Sequence, residues 1–485
     1  MNDNNVAEEL IISCSFPPSN DVGGMVLAKR CIVENKHVDV IQVNVKKDKD
    51  LEFNKVIEKH INERILIDIK CNSSSSDWNY ICNFVDKSMD KPEKRNVYKK
   101  IYSRVWRLPN NFLSLEYKFK HPDTYWTAEF PDPLLYDTFN KKRGINKPKI
   151  NDSEFLDKTN AAITELNEQE NTNFELLEND SNPFMVVEYI AYLFADEIVF
   201  TNENQRKIML EQFPVDVKDF VMKKSIIKPH PTLPKEFYNI KNYEEDFDSS
   251  MINLGFFGRI YSKRHFESVF NAFEILNHKY KDRLQFYFYT DEKHLINKIT
   301  KSLEIHNNLH VKNKVDYLDF LSLINKLDIL IINDLITKDC FDVNPYLPSK
   351  FSDYRGSDSK MWAICEKGSS LEKADAEYKS YIDDYNSNVD ILVEILNDYS
   401  FGDESYELSD EYEYLLERIT ELNIIIDEDN KRIKRNRSEL KKLKKKNEKL
   451  EKENKKLNNE NKEILSSNSW KLTGFLRKIK RFFSR

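Results

Sequence analysis

At 485 residues, with 40% hydrophobic and 32% charged side chains and a net charge of −7, the chain exceeds what one hydrophobic core supports, and two globular domains with appendages are expected. No run approaches the ~18 apolar residues that span a bilayer, and the opening MNDNNVAEEL lacks a basic segment followed by an apolar one, so a cytoplasmic protein without a spanning helix is expected. The six cysteines (Cys14, Cys31, Cys71, Cys82, Cys340, Cys365) form no CxxC and have no histidine at ligand spacing, which argues against a zinc site or a disulfide framework.

In chain order, LIISCSF (10–16) reads as a strand, followed by Pro17-Pro18, a polar loop with Gly23-Gly24, a helix to about Asn35 and the strand VDVIQVNV. Strand, loop, helix, strand opens a doubly wound α/β domain, and Gly23-Gly24 falls at the carboxyl end of a strand, where such sheets bind ligands. The domain is expected to run through YWTAEF and DEIVF and to end near Pro234, giving bounds of 1–235. Residues 138–182, rich in Asn, Glu, Asp and Lys, read as an insertion or mobile loop with some helix. In WTAEFPDP, Glu129 and Asp132 follow a strand and are candidates for orienting an acceptor, although Asp-Pro also commonly starts a turn. Ser103-Arg104 fits a sugar cradle or a surface ion pair, and His230 in KPHPTLP reads as structural.

A second α/β series begins at Met251: strand 252–257, helix from about 264 to 280, strand LQFYFYT, helix from about 292 to 305, strand LHVKNKV, helix DFLSLINKL and strand DILIIND. Strands alternating with helices imply a parallel sheet, so a second Rossmann-like domain is expected over 250–400, with a cleft between the two. Its first turn, INLGFFGRIYSKRHFESVFNAF, runs from an apolar strand through Gly258-Arg259 and a basic loop into a helix. Gly258 admits a ligand close to the backbone, Arg259 is a planar multidentate donor, and Lys263 and Arg264 add cations at a helix start, a pattern that suits a diphosphate. A solvated basic loop would look the same. Farther on, Pro348 can start a helix with Ser349, Lys350 and Asp353 on its first turns, where a carboxylate can hold a ribose and N–H groups can meet phosphate; a surface helix cap also fits.

From 431 to 485 there are 21 Lys and Arg against 6 Glu, leaving −22 for residues 1–430, so the basic end needs its own role. Over 410–465 a heptad places Ile419, Ile426, Ile433, Leu440, Asn447, Asn454 and Asn461 at a, and Leu415, Leu422, Asp429, Asn436, Leu443, Leu450, Leu457 and Ile464 at d. Asn at a favours a two-stranded parallel coil, and Glu439 opposite Lys444 and Lys446 opposite Glu451 are attractive in that dimer; a single charged helix is the alternative. The tail, 466–485, places Leu472, Phe475, Leu476, Ile479, Phe482 and Phe483 on one helical face and basic residues with no acidic one on the rest, which suits an anionic membrane surface at 470–485 better than nucleic acid, with docking onto a globular domain as the other alternative.

Gly258-Arg259, Arg264 and Ala272-Phe273 together resemble the donor-phosphate motif of GT-B-fold, family 4-like glycosyltransferases of the surface-polysaccharide type. NPYLPSKFSDY resembles their later donor-binding helix, SFPPSNDVGG their first glycine-rich loop, YSRVWRLPNNFLSLEYKFKHPDTYWTAEFPDPL a block of that subgroup, and a SWKLT-type end after a coil also resembles theirs. The resemblance, over roughly residues 8–400, implies transfer of a sugar from a nucleotide-sugar donor to a cell-surface polysaccharide or lipid-linked glycan, retaining, with no cofactor and no metal, on the inner face of the cell membrane. It implies that Arg259 and Arg264 neutralise the departing diphosphate, Asp353 holds the ribose and Gly23-Gly24 line the cleft; joined to the residue readings above, this makes Arg259, Arg264 and Glu129 the catalytic candidates and Gly23, Gly24, Gly258, Lys263, Ser349, Lys350 and Asp353 the donor-binding ones. A nucleotide-sugar epimerase of the same fold and an inactive coiled-coil scaffold are the alternatives.

This chain departs from the family pattern in three places. Arg264-His265 stands where Lys-Gly is usual, so either Lys263 or Arg264 holds the diphosphate. Pro345 stands where a first acidic residue is usual, with Asn344 or Asp342 as substitutes. The tail has Gly474-Phe475 where Pro would be usual.

Overall fold

The computed structural model describes residues 7–466, except 47–48, 70–75, 90, 92–96, 146–148, 261–265, 277, 302, 383 and 400–408, together with 473–474 and 480. Residues 1–406 form one compact unit and residues 407–485 a second.

The first unit holds two sheets. One comprises β1 (Glu9–Ile12), β2 (Val38–Val43), β3 (Ile61–Ile67), β4 (Lys100–Arg104), β5 (Tyr125–Phe130), β6 (Glu197–Phe200) and β7 (Ser225–Ile227), in the order β3-β2-β1-β4-β5-β6-β7. The other comprises β8 (Ile252–Phe257), β9 (Leu284–Tyr289), β10 (Leu309–Lys312), β11 (Ile329–Asn333), β12 (Lys360–Cys365) and β13 (Tyr378–Tyr381), in the order β10-β9-β8-β11-β12-β13. All pairings between these strands are parallel. Burial explains the apolar runs: β2 and β8 are buried along their whole length, as strands covered on both faces must be. In each sheet the strand order reverses beside the first strand, between β1 and β4 and between β8 and β11. Crevices open there at the carboxyl ends of the strands.

The expected alternation of strands and helices is present, with differences at helix ends. The helix expected over 264–280 covers Glu267–Ile275 and is followed by a separate turn, His278–Lys281. The stretch 138–182 contains the helix Ser153–Glu170, and Leu156, Ile163, Phe174 and Leu177 are buried in the core of the first sheet. Apolar residues at helical spacing thus pack a segment whose composition reads as loop.

A second apolar core runs continuously from one sheet to the other, joining Phe16, Met25, Leu27 and Tyr102 to Phe257, Tyr317, Phe320 and Phe351. Polar bonds cross the same boundary. Asp50 accepts from the Tyr317 backbone N–H at 3.0 Å, and Asn202 and Asn204 donate to the carbonyls of Pro345 and Asn344 at 3.1 and 3.0 Å.

In the second unit one helix, Ser409–Ser466, covers the heptad region. Among the described residues no helix is long and apolar enough to cross a membrane. Apart from Thr473, Gly474 and Lys480, the tail expected at the membrane lies outside the described residues.

Candidate functional site

Two cavities meet at the carboxyl ends of the central strands. The larger, of about 720 Å³, is lined from the first sheet by Asp21, Gly23, Arg104, Trp106, Asp132 and His230, and from the second by Gly258, Arg259, Thr290, Lys314, Ser349 and Lys350. The smaller, of about 80 Å³, shares Gly258, Lys314, Ser349 and Lys350 with it and adds Lys29, Tyr317, Phe320 and Asp353.

The helix Val22–Val33 begins at this junction. Asp21 caps it, its Oδ1 accepting from the N–H groups of Gly23 at 2.9 Å and Gly24 at 3.4 Å. The anion-favouring end of the helix therefore already holds a carboxylate. Gly23 lines the larger cavity. Gly24, expected beside it, instead packs against the loop after β1: a Cβ there would lie 1.8 Å from the Ser15 carbonyl oxygen, so only glycine lets helix and loop approach.

After β8, Gly258 adopts φ +140, a region that side chains with a Cβ rarely enter, and its N–H donates to the Tyr289 carbonyl at 3.1 Å. Arg259 follows, exposed and lining the larger cavity. Lys263, Arg264 and His265 lie outside the described residues.

The helix expected from Pro348 is only Lys350–Tyr354, five residues, and Ser349 makes no side-chain cap bond. So short an element has little dipole, and side chains supply the charge. Lys350 Nζ lies 3.7 Å from the centroid of Phe320. Burial pushes its pKa down to about 8, with Asp353 opposing and Lys29 and Lys314 adding to the fall.

Asp353 is 5% exposed, and its Oδ1 accepts from Lys29 Nζ at 2.8 Å and Tyr317 Oη at 2.7 Å. Lys29 also donates to Ser352 Oγ at 2.8 Å. The carboxylate expected to meet a ribose is thus partly committed to a buried pair between the two domains. Asn344 and Asp342 are not placed to replace the missing acidic partner: Asn344 is buried, bonding the Leu335 carbonyl and the Tyr346 N–H, and neither residue lines either of these two cavities.

Glu129 does not face the cleft, contrary to expectation. It is 0% exposed. Arg30 grips it with Nε at 3.0 Å and Nη2 at 2.8 Å, Tyr102 donates at 2.8 Å, and Arg104 Nε forms an ion pair at 3.2 Å. Burial alone would raise its pKa, but the Arg30 and Arg104 guanidiniums more than offset it and hold the carboxyl well below the usual range. In β5 alternate side chains face opposite ways, and this position points into the layer beneath the cleft.

Three residues later Asp132 does line the larger cavity. Burial pushes its pKa up to about 6 against the pull of Arg104 and Arg143. His230, read as structural, lines the cavity as well. Arg104 Nη2 lies 3.0 Å from its Nε2, so Nε2 accepts and the neutral ring carries its proton on Nδ1, which has no partner among the described residues. Burial, and then Arg104, hold the ring well below its ordinary pKa. Ser103, by contrast, is tied to Asn111 at 2.7 Å and to the Trp126 indole at 2.9 Å. Lys29, Lys314, Tyr317 and Arg143 carried no motif signal, since Lys29 and Tyr317 come from two helices and Lys314 and Arg143 from two loops. Among the described residues no group of His, Cys, Asp and Glu has the geometry to hold a metal ion.

No family model matches the sequence, and no curated protein matches it. Solved structures do resemble the chain. HepE of Anabaena in complex with UDP shares 10% identity over 80% of this chain and 90% of its own, with a TM-score of 0.50. Sucrose-phosphate synthase from Thermosynechococcus elongatus shares 11% identity over the same fractions, also with a TM-score of 0.50. The likeness is one of fold: with two all-parallel doubly wound sheets, this chain has the GT-B fold.

Proposed function

We propose that the chain is a glycosyltransferase that moves a sugar from a nucleotide-sugar donor to a glycan or lipid-linked acceptor. Support comes from one cavity in which Gly258, Arg259, Lys314 and Lys350 of the second domain face Arg104, Asp132 and His230 of the first. A positively charged crevice at a switch point is where a nucleoside diphosphate binds in open α/β sheets. HepE, with the same fold, holds UDP.

In this reading Arg259, Lys314 and Lys350 neutralise the diphosphate, Gly258 and Ser349 let it approach the backbone, and the second oxygen of Asp353, which takes no hydrogen bond from the described residues, meets the ribose. As the bond between the anomeric carbon and the diphosphate breaks, its electron pair goes to the diphosphate. The acceptor oxygen bonds the same carbon, and the acceptor proton ends on the departing phosphate. No strong protein base is needed, and fixed cations take the place of a metal, so transfer proceeds with retention and in EDTA. Of the two carboxylates considered for orienting the acceptor, Asp132 takes that role in place of the buried Glu129.

A panel of nucleoside diphosphates followed by calorimetry, and the matching nucleotide sugars scored for slow hydrolysis with and without EDTA, tests the reading. Arg259→Ala should weaken binding by about 1.5–3 kcal/mol, the worth of a charged hydrogen bond. Equal affinity in that variant would remove Arg259 from the site, and no binding by any diphosphate would remove the transferase.

The long helix supports the proposed parallel dimer by what it leaves in water: Ile433, Leu440, Leu443, Leu450 and Leu457 are each about half exposed, a seam that a second copy would bury. The basic tail would hold that dimer at an anionic membrane, raising the local concentration of enzyme at a lipid-linked acceptor. Light scattering at micromolar concentration should give twice the chain mass, and ending the chain at residue 465 should abolish sedimentation with anionic liposomes while leaving the dimer. A monomeric mass or unchanged sedimentation would refute the respective half.

A further inference from the structure

Trp106 is 44% exposed, while Trp78, Trp126 and Trp362 are 8% exposed or less. Phe139, 48% exposed, is the one exposed phenylalanine among the described residues. Leaving such rings in water forgoes the stabilisation of burial, ~25 cal/mol per Å², and both rings line the larger cavity with Arg104, Asp132 and Arg143.

Neither ring sits on a loose segment. Trp106 lies two residues beyond the end of β4, and the guanidinium carbon of Arg143 lies 5.9 Å from its ring centroid. Arg143 is itself fixed by bonds from Nη1 to the carbonyls of Pro133 at 2.9 Å and Leu134 at 2.8 Å. Phe139 is at the tip of a hairpin closed by the pairing of Tyr136 with Lys142. Within the turn, Asp137 Oδ1 accepts from the N–H groups of Phe139 and Lys141, each at 2.9 Å.

We propose that Trp106 and Phe139 form a stacking platform for a saccharide acceptor, whose hydroxyls are met by Asp132 and Arg104. The assignment rests on the transferase reading above, because the platform is continuous with the cavity of the Gly258-Arg259 loop, where the acceptor of a transfer must sit. A pyranose presents an apolar face of C–H bonds inside a rim of hydroxyls, and aromatic faces beside a carboxylate and a guanidinium match both. A purely apolar occupant would offer nothing to the Asp132 carboxyl in a dehydrated cleft, at a cost.

The test uses the full chain and two sets of probes, nucleoside diphosphates and neutral tetrasaccharides of glucose, mannose and galactose, with binding followed by calorimetry. Wild type should bind at least one tetrasaccharide, and Trp106→Ala and Phe139→Ala should each weaken that binding roughly tenfold. Trp106→Phe should restore most of it, and diphosphate affinity should be unchanged in all three. Equal saccharide affinity in the alanine variants overturns the platform, as does a wild type that binds a diphosphate but none of the saccharides. A wild type that binds no diphosphate overturns the transferase reading instead, and the saccharide arm then judges the platform alone.

Discussion

Replacing Glu129 by Gln should destabilise the first domain by about 3–5 kcal/mol, the cost of breaking a buried charge pair from one side. The substitution keeps the volume but removes the charge that Arg30 and Arg104 share, leaving two guanidiniums in a layer from which water is excluded. Because folding depresses the carboxyl pKa, the stabilisation is fully present above the unfolded value near 4.5. It is lost only as pH falls toward the folded value, so at neutral pH the variant lacks it entirely. Urea unfolding followed by fluorescence should show a large drop in midpoint. Nucleotide binding per folded molecule should change little. The opposite pattern, normal stability with lost turnover, would return Glu129 to the catalytic role that its place in the sequence suggested.

Replacing Lys350 by Met should weaken binding of a nucleoside diphosphate by roughly 10- to 100-fold at pH 7, the equivalent of about 1.5–3 kcal/mol for a charge-assisted contact. Wild-type affinity carries a pH signature that the variant should lack. Only the protonated ammonium attracts phosphate, and burial has pushed its pKa from 10.5 to about 8. Affinity is therefore full below about 8 and declines above it, while the bound anion pulls the pKa up again. Binding at pH 8–9 must take up a proton, and calorimetry in two buffers of different ionisation enthalpy measures it. Parallel pH profiles for wild type and variant would show that Lys350 does not meet the phosphate.

Much of the scaffold was legible because it rests on local patterns. β8 spans Ile252–Phe257 as its apolar run predicts, and Gly258-Arg259 falls at its carboxyl end because a glycine after a buried strand has few other uses. The two parallel sheets followed from strands alternating with helices. The helix Ser153–Glu170 was obscured by its polar surroundings, since only Leu156, Thr159 and Ile163 of its eighteen residues are buried. β3 was also less visible: its burial alternates weakly along INERILI, as befits the edge of the sheet.

By itself the sequence determined the alternation of strands with helices, the glycine turn after β8 and the division of charge between the first 430 residues and the basic end, all properties of neighbours along the chain. Tertiary structure alone decided which charges reach the cleft. Glu129 and Asp132 are three residues apart in one motif, yet the first is sealed between Arg30 and Arg104 while the second lines the cavity. Lys29, on the buried face of a helix, was paired with Asp353 from 324 residues away. Such outcomes depend on which groups the packing of two sheets brings within a few ångströms and removes from water, and Coulomb energy and desolvation vary with that distance and burial, not with separation along the chain.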